Sequence, residues 1–142
     1  MATYNAPIDD MMFLFEKLRD NPHYNALEKY KEVNPELAKD ILEQAAKLTE
    51  NLVLPLAKAG DETPTKLKNG VVRTPPGYKE VYKEIIEDGW TSLYCDSEYG
   101  GQGMTRTIST FVDEMLSSAS LSFKLYSELS IGAYNCIFHH GT

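Results

Sequence analysis

The sequence predicts an all-α fold, a helical bundle of about five helices with one short β-hairpin insert. Three observations carry this. Apolar residues recur at three- and four-residue intervals in five stretches. Proline, glycine and asparagine punctuate the boundaries between those stretches. One Asn-Gly pair, Asn69-Gly70, sits between short alternating runs, the usual signal of a tight two-stranded turn.

Ile8, Met11, Met12, Phe15 and Leu18 follow Pro7 at helical spacing and predict a first helix over Pro7–Arg19. Asp20–Val33 reads as a linker with a turn of helix. Asn34-Pro35-Glu36 then starts a second helix, with a side-chain cap, a proline at the first helical position and a carboxylate near the positive end. Leu37, Ile41, Ala45, Leu48, Leu52 and Leu56 mark one face of this long helix, which runs to Ala59. Pro55 removes the bond to the Asn51 carbonyl, so a bend is expected there. The hairpin spans Thr65–Arg73; two strands alone are marginal, so it is expected to lie against the helices.

Pro75-Pro76 restarts the chain, and Tyr78, Val81, Tyr82, Ile85 and Ile86 give a third helix ending at Gly89. The segment Gly89–Thr110 follows, with Gly100, Gly101 and Gly103 close together, which demands positive φ or close backbone approach. Ile108, Phe111, Val112, Met115 and Leu116 form a fourth stripe, and Ser120 is placed to cap a fifth helix, Leu121–His140. That helix is apolar nearly all round, from Leu121 and Phe123 to Ile137 and Phe138, which implies burial on several sides and a partner surface beyond the other helices. His139-His140-Gly141-Thr142 reads as its last turn and C-cap, and the chain reads as cut there.

The 142 residues suit one domain, and 42% apolar with 25% charged residues is the balance of a globular protein. A net charge of −7 without a basic stripe argues against nucleic acid. No apolar run reaches membrane-spanning length, and the start lacks a signal-peptide pattern. Cys95 and Cys136 are then expected to be reduced thiols in a cytoplasmic protein.

The chemistry-bearing residues do not assemble into a self-contained active site. Gly101-Gln102-Gly103 begins like a dinucleotide loop, but Arg106 stands where a third glycine belongs and no βαβ alternation surrounds it. The Glu-x-x-His pairs of a di-iron bundle are missing, and the adjacent His139 and His140 point about 100° apart on a helix. Cys95 has Asp96 and Glu98 as neighbours, which would raise its pKa and leave it idle. Asp113 and Glu114 read as a solvated face. Glu128 lies on an otherwise apolar helix, where a carboxylate faces a cavity, partner or ligand, or else is exposed or paired.

The order of parts carries a resemblance. Gly89-Trp90 is followed by Ser97-Glu98-Tyr99-Gly100-Gly101-Gln102-Gly103, then by Phe111 through Met115, the stretch Ser118–Ser120, Leu129 through Ala133, and His140-Gly141-Thr142. In this the chain resembles the N-terminal α-helical domain of the acyl-CoA dehydrogenases, from Asn34 onward and most sharply over Gly89–Thr142. Where the family's loop usually has proline before the acidic residue, this chain has Asp96-Ser97. The hairpin and the Thr74–Trp90 stretch resemble the longer members, which include enzymes acting on 3-methylmercaptopropionyl-CoA.

The resemblance implies a single N-terminal α-helical domain over 1–142, a fragment of a three-domain enzyme that uses FAD for the α,β-dehydrogenation of an acyl-CoA thioester. It implies that the catalytic base and most flavin contacts lie in the middle and C-terminal domains, with no catalytic, cofactor or metal residue in this chain. Further implied partners are an electron-transfer acceptor and other copies in a homo-oligomer. In the family the fifth helix forms part of the acyl-chain pocket wall; carried over by position, Lys124, Leu125, Glu128 and Gly132 are the substrate-side residues. Lys124 and Glu128, four apart, would either close the pocket bottom as an ion pair or lie in solvent. The alternative is a freestanding helical bundle that binds a protein or hydrophobic ligand without catalysis.

Overall fold

The computed structural model describes residues 3–141. Helix α1 (Ile8–Arg19) buries Met11 and Phe15, with Asp9 and Asp10 in its first turn and Lys17 and Arg19 in its last, each sign matching the helix dipole. The linker holds two short helices, α2 (Pro22–Asn25) and α3 (Glu28–Glu32), more helix than its Asn-Pro start announced. Arg19 organises it by donating to the backbone carbonyls of Tyr30 and Val33.

Helix α4 (Pro35–Leu48) starts where expected, with the Leu37 N–H donating to Asn34 Oδ1 at 2.8 Å. Ala45, Leu48 and Leu56 of the expected stripe are buried and Ile41 and Leu52 half-buried; only at the N-terminal end does the face shift, with Ala38 and Leu42 buried and Leu37 exposed. A π-helical turn, Thr49–Val53, joins α4 to α5 (Leu54–Glu62). In it the Leu54 N–H reaches back five residues to the Thr49 carbonyl. Thr49, fully buried, donates its hydroxyl to the carbonyls of Ala45 and Ala46 at 2.9 and 3.0 Å, where the bonding pattern changes. The widened turn sits just before Pro55, whose missing N–H interrupts the ladder, and helical residues continue past it to Glu62.

The hairpin is antiparallel, β1 (Lys66–Lys68) against β2 (Val71–Arg73), with Leu67 opposite Val72. Asn69 (φ 52°) and Gly70 (φ 75°) both take positive φ, as the two-residue turn requires. The expectation that it lies on the helices is not met: every strand residue is exposed, and at its base the Thr65 and Tyr126 hydroxyls meet at 3.0 Å.

Helix α6 (Tyr78–Glu87) buries Tyr78 and Ile85 and ends before Gly89, at φ 79°. The two helices expected after the glycine loop are one 35-residue element, α7 (Arg106–His140), interrupted only by Ser120, which is extended at φ −161° and ψ 93°. The break is where the sequence placed it, but the cap is different. The Ser120 hydroxyl, buried between the two arms, meets the Ser122 hydroxyl at 3.4 Å rather than a backbone N–H.

The core is Phe15, Leu42 and Val53 packed on Ile108, Val112 and Met115 of the first α7 arm. The second arm is attached differently. Tyrosine hydroxyls hold it: Tyr78 to Ser122 (2.9 Å), Tyr94 to Asn135 (3.0 Å), and Tyr134 accepting from the Asp96 N–H (2.8 Å). Phe123 is buried there, while Leu121, Leu125, Leu129 and Ile137 are exposed, Leu129 by 81%. The surplus apolar surface expected of the fifth helix is therefore real. Gly141 donates to the Ile137 carbonyl at 2.7 Å; Thr142 lies outside the described residues.

Candidate functional site

The glycine loop is built by backbone contacts. Gly100 and Gly103 take positive φ, whereas Gly101 lies so close to the Cys95 carbonyl that only hydrogen fits. Its N–H groups are spent internally: Gly101 donates to Asp96, Gln102 to Ser92, Gly103 to Cys95 and Met104 to Leu93. A pyrophosphate needs free backbone donors, and the N–H groups from Glu98 to Met104 are all bonded within the loop. FAD, which the resemblance implies for the parent enzyme, does not fit here, and no group of three or more metal-ligating side chains occurs among the described residues.

Between the loop, α6 and both arms of α7 runs a groove of about 100 Å³. Ile85, Leu93, Val112 and Leu116 form its apolar side, and Trp90, Tyr94 and Ile131 also line it. Its charged side comes from both α7 arms. Lys124 Nζ lies 2.9 Å from Glu128 and 3.7 Å from Asp113, and the lysine side chain is only 10% exposed. Arg106, at the N-terminal end of α7, lies over the Tyr94 ring at 4.0 Å and lines the same groove.

The ion cluster depends on the break at Ser120. Asp113 and Lys124 are eleven residues apart, which on a straight helix is about 16 Å of rise. Their 3.7 Å approach requires the second arm to fold back on the first.

The four residues expected on the substrate side are not all in the groove. Lys124 and Glu128 line the groove as an i, i+4 ion pair. Leu125 and Gly132 are exposed and do not line it, and a side chain at Gly132 would meet open space. Asp113, read as a solvated face, belongs to the cluster instead. The signal that could have found it is the combination of Ser120, a residue that favours breaks over helix interiors, with a lysine beyond it.

Burial pushes the Asp113 carboxyl above its ordinary range; Lys124 opposes this, Glu128 adds to it, and Arg106 opposes it. A carboxyl raised in the folded state destabilises that state once it is ionised, and the penalty lifts as pH falls through the raised value. Asp113→Asn should therefore raise the melting temperature slightly near pH 7, with the gain disappearing at about pH 3; equal melts at both pH values would show that Lys124 offsets the burial fully. Cys95 is also raised, as its sequence neighbours suggested, but the cause is burial, with Arg106 opposing it. Cys136 is exposed, and both thiols are free.

The fold is a helical domain with a groove on one side and an uncovered apolar arm, and its sequence assigns it a family. The family model described as Acyl-CoA dehydrogenase, N-terminal domain, matches residues 35–142. The chain belongs to the acyl-CoA dehydrogenase family. It is 35% identical over 135 residues, 95% of its length, to the 3-methylmercaptopropionyl-CoA dehydrogenase of Ruegeria pomeroyi. It is 26% identical over its whole length to the broad-specificity linear acyl-CoA dehydrogenase FadE5 of Mycobacterium tuberculosis. It spans 23% of the length of each. Among the described residues no helix is long and apolar enough to cross a membrane.

Proposed function

We propose that this chain is the N-terminal domain of a flavin-dependent acyl-CoA dehydrogenase acting in the cytoplasm. The observation that carries the reading is the family match over residues 35–142, in a chain spanning 23% of its relatives. The reaction is α,β-dehydrogenation of an acyl-CoA thioester, with FAD as hydride acceptor and an electron-transfer partner reoxidising it. The base, the flavin and the rest of the pocket belong to the middle and C-terminal domains, and the assembled enzyme is a homo-oligomer.

Within that division this domain supplies one wall of the acyl pocket. Lys124 and Glu128 face the acyl chain from the groove. Leu125 and Gly132, exposed beside that ion pair and outside the groove, reach the substrate side only where another domain extends the pocket around them. The uncovered Leu121, Leu125 and Leu129 form the surface on which that domain seats, as an unpartnered apolar patch normally does.

The test compares two proteins, each mixed with FAD and passed through gel filtration. The full-length polypeptide should retain flavin and reduce a dye when given an acyl-CoA. The isolated 142-residue chain should retain none, because its loop donors are already spent. Stoichiometric flavin on the isolated chain would contradict the division of labour, and a full-length protein without flavin or turnover would favour the non-catalytic binding bundle.

A further inference from the structure

We propose that the hairpin is a docking arm for a second copy of this chain, its cations seated on the acidic C-terminal end of the other copy's α6. The proposal gives a contact to the homo-oligomer of the proposed function and rests on that oligomer, not on the chemistry. In the hairpin register Lys66 stands directly opposite Arg73, and Lys68 lies on the same face two residues along, while Leu67 and Val72 occupy the other face. Like charges directly opposite, about 5 Å apart at Cβ, destabilise a strand pair. Residues 63–79 hold four cations and no acid in a chain of net charge −7. Among the described residues none of Lys66, Lys68 and Arg73 takes part in an ion pair.

The opposite imbalance sits at the far end of the next helix. α6 carries Glu84 and Glu87 in its last turn and Asp88 at its cap, with no basic residue in that turn to answer the negative end of the dipole. Among the described residues only Glu87 of the three is paired, with Lys83 at 3.6 Å on the exposed face. Residues 84–105 hold five acids and neither lysine nor arginine. Each cluster would relieve the other, yet the ten residues of α6 set them about 15 Å apart. Two copies of α6 laid antiparallel about a two-fold axis bring each hairpin to the other copy's Glu84, Glu87 and Asp88, and the contact closes at two copies. Exposed apolar residues accompany the charges on both sides: Leu67 and Val72, 73% and 59% exposed, on the hairpin, and Ile86 on α6. The long lysine and arginine stems let the charged heads reach around the edge of the ribbon while the apolar pair makes contact. An anionic bilayer is the other surface that a basic hairpin with an apolar face could meet, but the acidic body of the chain is repelled by it, so charge selects the second copy.

The experiment mixes isotopically light and heavy full-length polypeptide, lets the copies exchange, and couples lysines to carboxylates with a zero-length carbodiimide. Lys66 or Lys68 should be joined to Glu84, Glu87 or Asp88 in peptides of mixed isotope, the mark of two copies. An oligomer whose mixed cross-links avoid the hairpin overturns the contact alone; a monomeric polypeptide overturns the homo-oligomer as well. Lys66→Glu combined with Lys68→Glu and Arg73→Glu should melt with the parent, because all three side chains are exposed. In sedimentation it should dissociate at least about tenfold more readily, since each lost pair counts twice. Adding Glu84→Lys, Glu87→Lys and Asp88→Lys reverses both clusters and should restore association. A hairpin variant that associates as tightly as wild type overturns the proposal, and so does a reversed chain that fails to recover. Phosphatidylserine vesicles that bind wild type but not the hairpin variant, with self-association unchanged between the two, would assign the basic face to lipid instead.

Discussion

Gly101→Val is expected to destabilise the fold by about 3 kcal/mol or more, the largest effect of any single change in the glycine loop. A Cβ at Gly101 would lie 2.1 Å from the Cys95 carbonyl oxygen and 2.3 Å from its carbon. Those atoms are backbone and cannot swing aside. They also accept the Gly103 N–H at 2.9 Å, so moving them breaks a bond that closes the loop. Gly100→Val differs in kind. Gly100 has φ 81° but nothing within 4 Å of an added Cβ, so its cost is conformational only, about 1–3 kcal/mol. Cys95→Ser should cost about 1 kcal/mol, because it buries a hydroxyl where the thiol had none to satisfy; Cys136→Ser, exposed, should fall within about 0.5 kcal/mol of the parent. Thermal melts rank the four, with Gly101→Val lowered by roughly 10 °C. A Gly101→Val protein melting with the parent would mean that the loop does not approach Cys95 as described.

That loop also shows what the sequence made legible. Glycines so dense had to serve positive φ or close approach, and the structure divides them accordingly: Gly89, Gly100 and Gly103 for the first, Gly101 for the second. Local chemistry was readable elsewhere for the same reason, because a cap such as Asn34 or a turn such as Asn69-Gly70 is decided by two or three neighbouring residues. The phase of α4 was harder. Alanines and leucines run side by side along its first turns, so two stripes one residue apart fit the period there, and packing buries Ala38 and leaves Leu37 exposed, while Ala45, Leu48 and Leu56 keep the expected face. The hairpin was misplaced because strand pairing reports nothing about what, if anything, covers it.

The candidate site was half legible. Lys124 and Glu128 lie four apart on one helix, a relation that periodicity reports directly. Asp113 joins them only through a fold-back at one extended residue, Ser120. No stripe or spacing carries that event, since each arm alone is regular. Leu125 and Gly132 were chosen by position in a family pattern, and both are exposed outside this groove; a step of one residue on a helix turns a side chain by about 100°, so Leu125 and its neighbour Lys124 meet different surroundings.

The second arm of α7 gives the other large expected effect: the isolated 142-residue chain should self-associate through it. Leu121, Leu125 and Leu129 recur at four-residue intervals, all at least half exposed, and Gly132 and the exposed Cys136 continue the same face. The arm's inward attachment relies on tyrosine hydroxyls rather than on this stripe, so the stripe is free to bury itself elsewhere. Gly132 lets a second backbone come close, since nothing lies within 4 Å of its missing Cβ. In a two-fold contact every substitution counts twice. If Leu129 buries about 1.5 kcal/mol or more per copy, Leu129→Glu should weaken the dimer by at least about a hundredfold in Kd, and Leu125→Lys should act in the same direction. Neither change should lower the melting temperature of the monomer much, because both side chains point away from the core. Sedimentation over a wide concentration range reads the association directly. A chain that stays monomeric at the highest concentration, with Leu129→Glu indistinguishable from it, would show that this face does not drive association and would remove the main reason to expect a large apolar contact there.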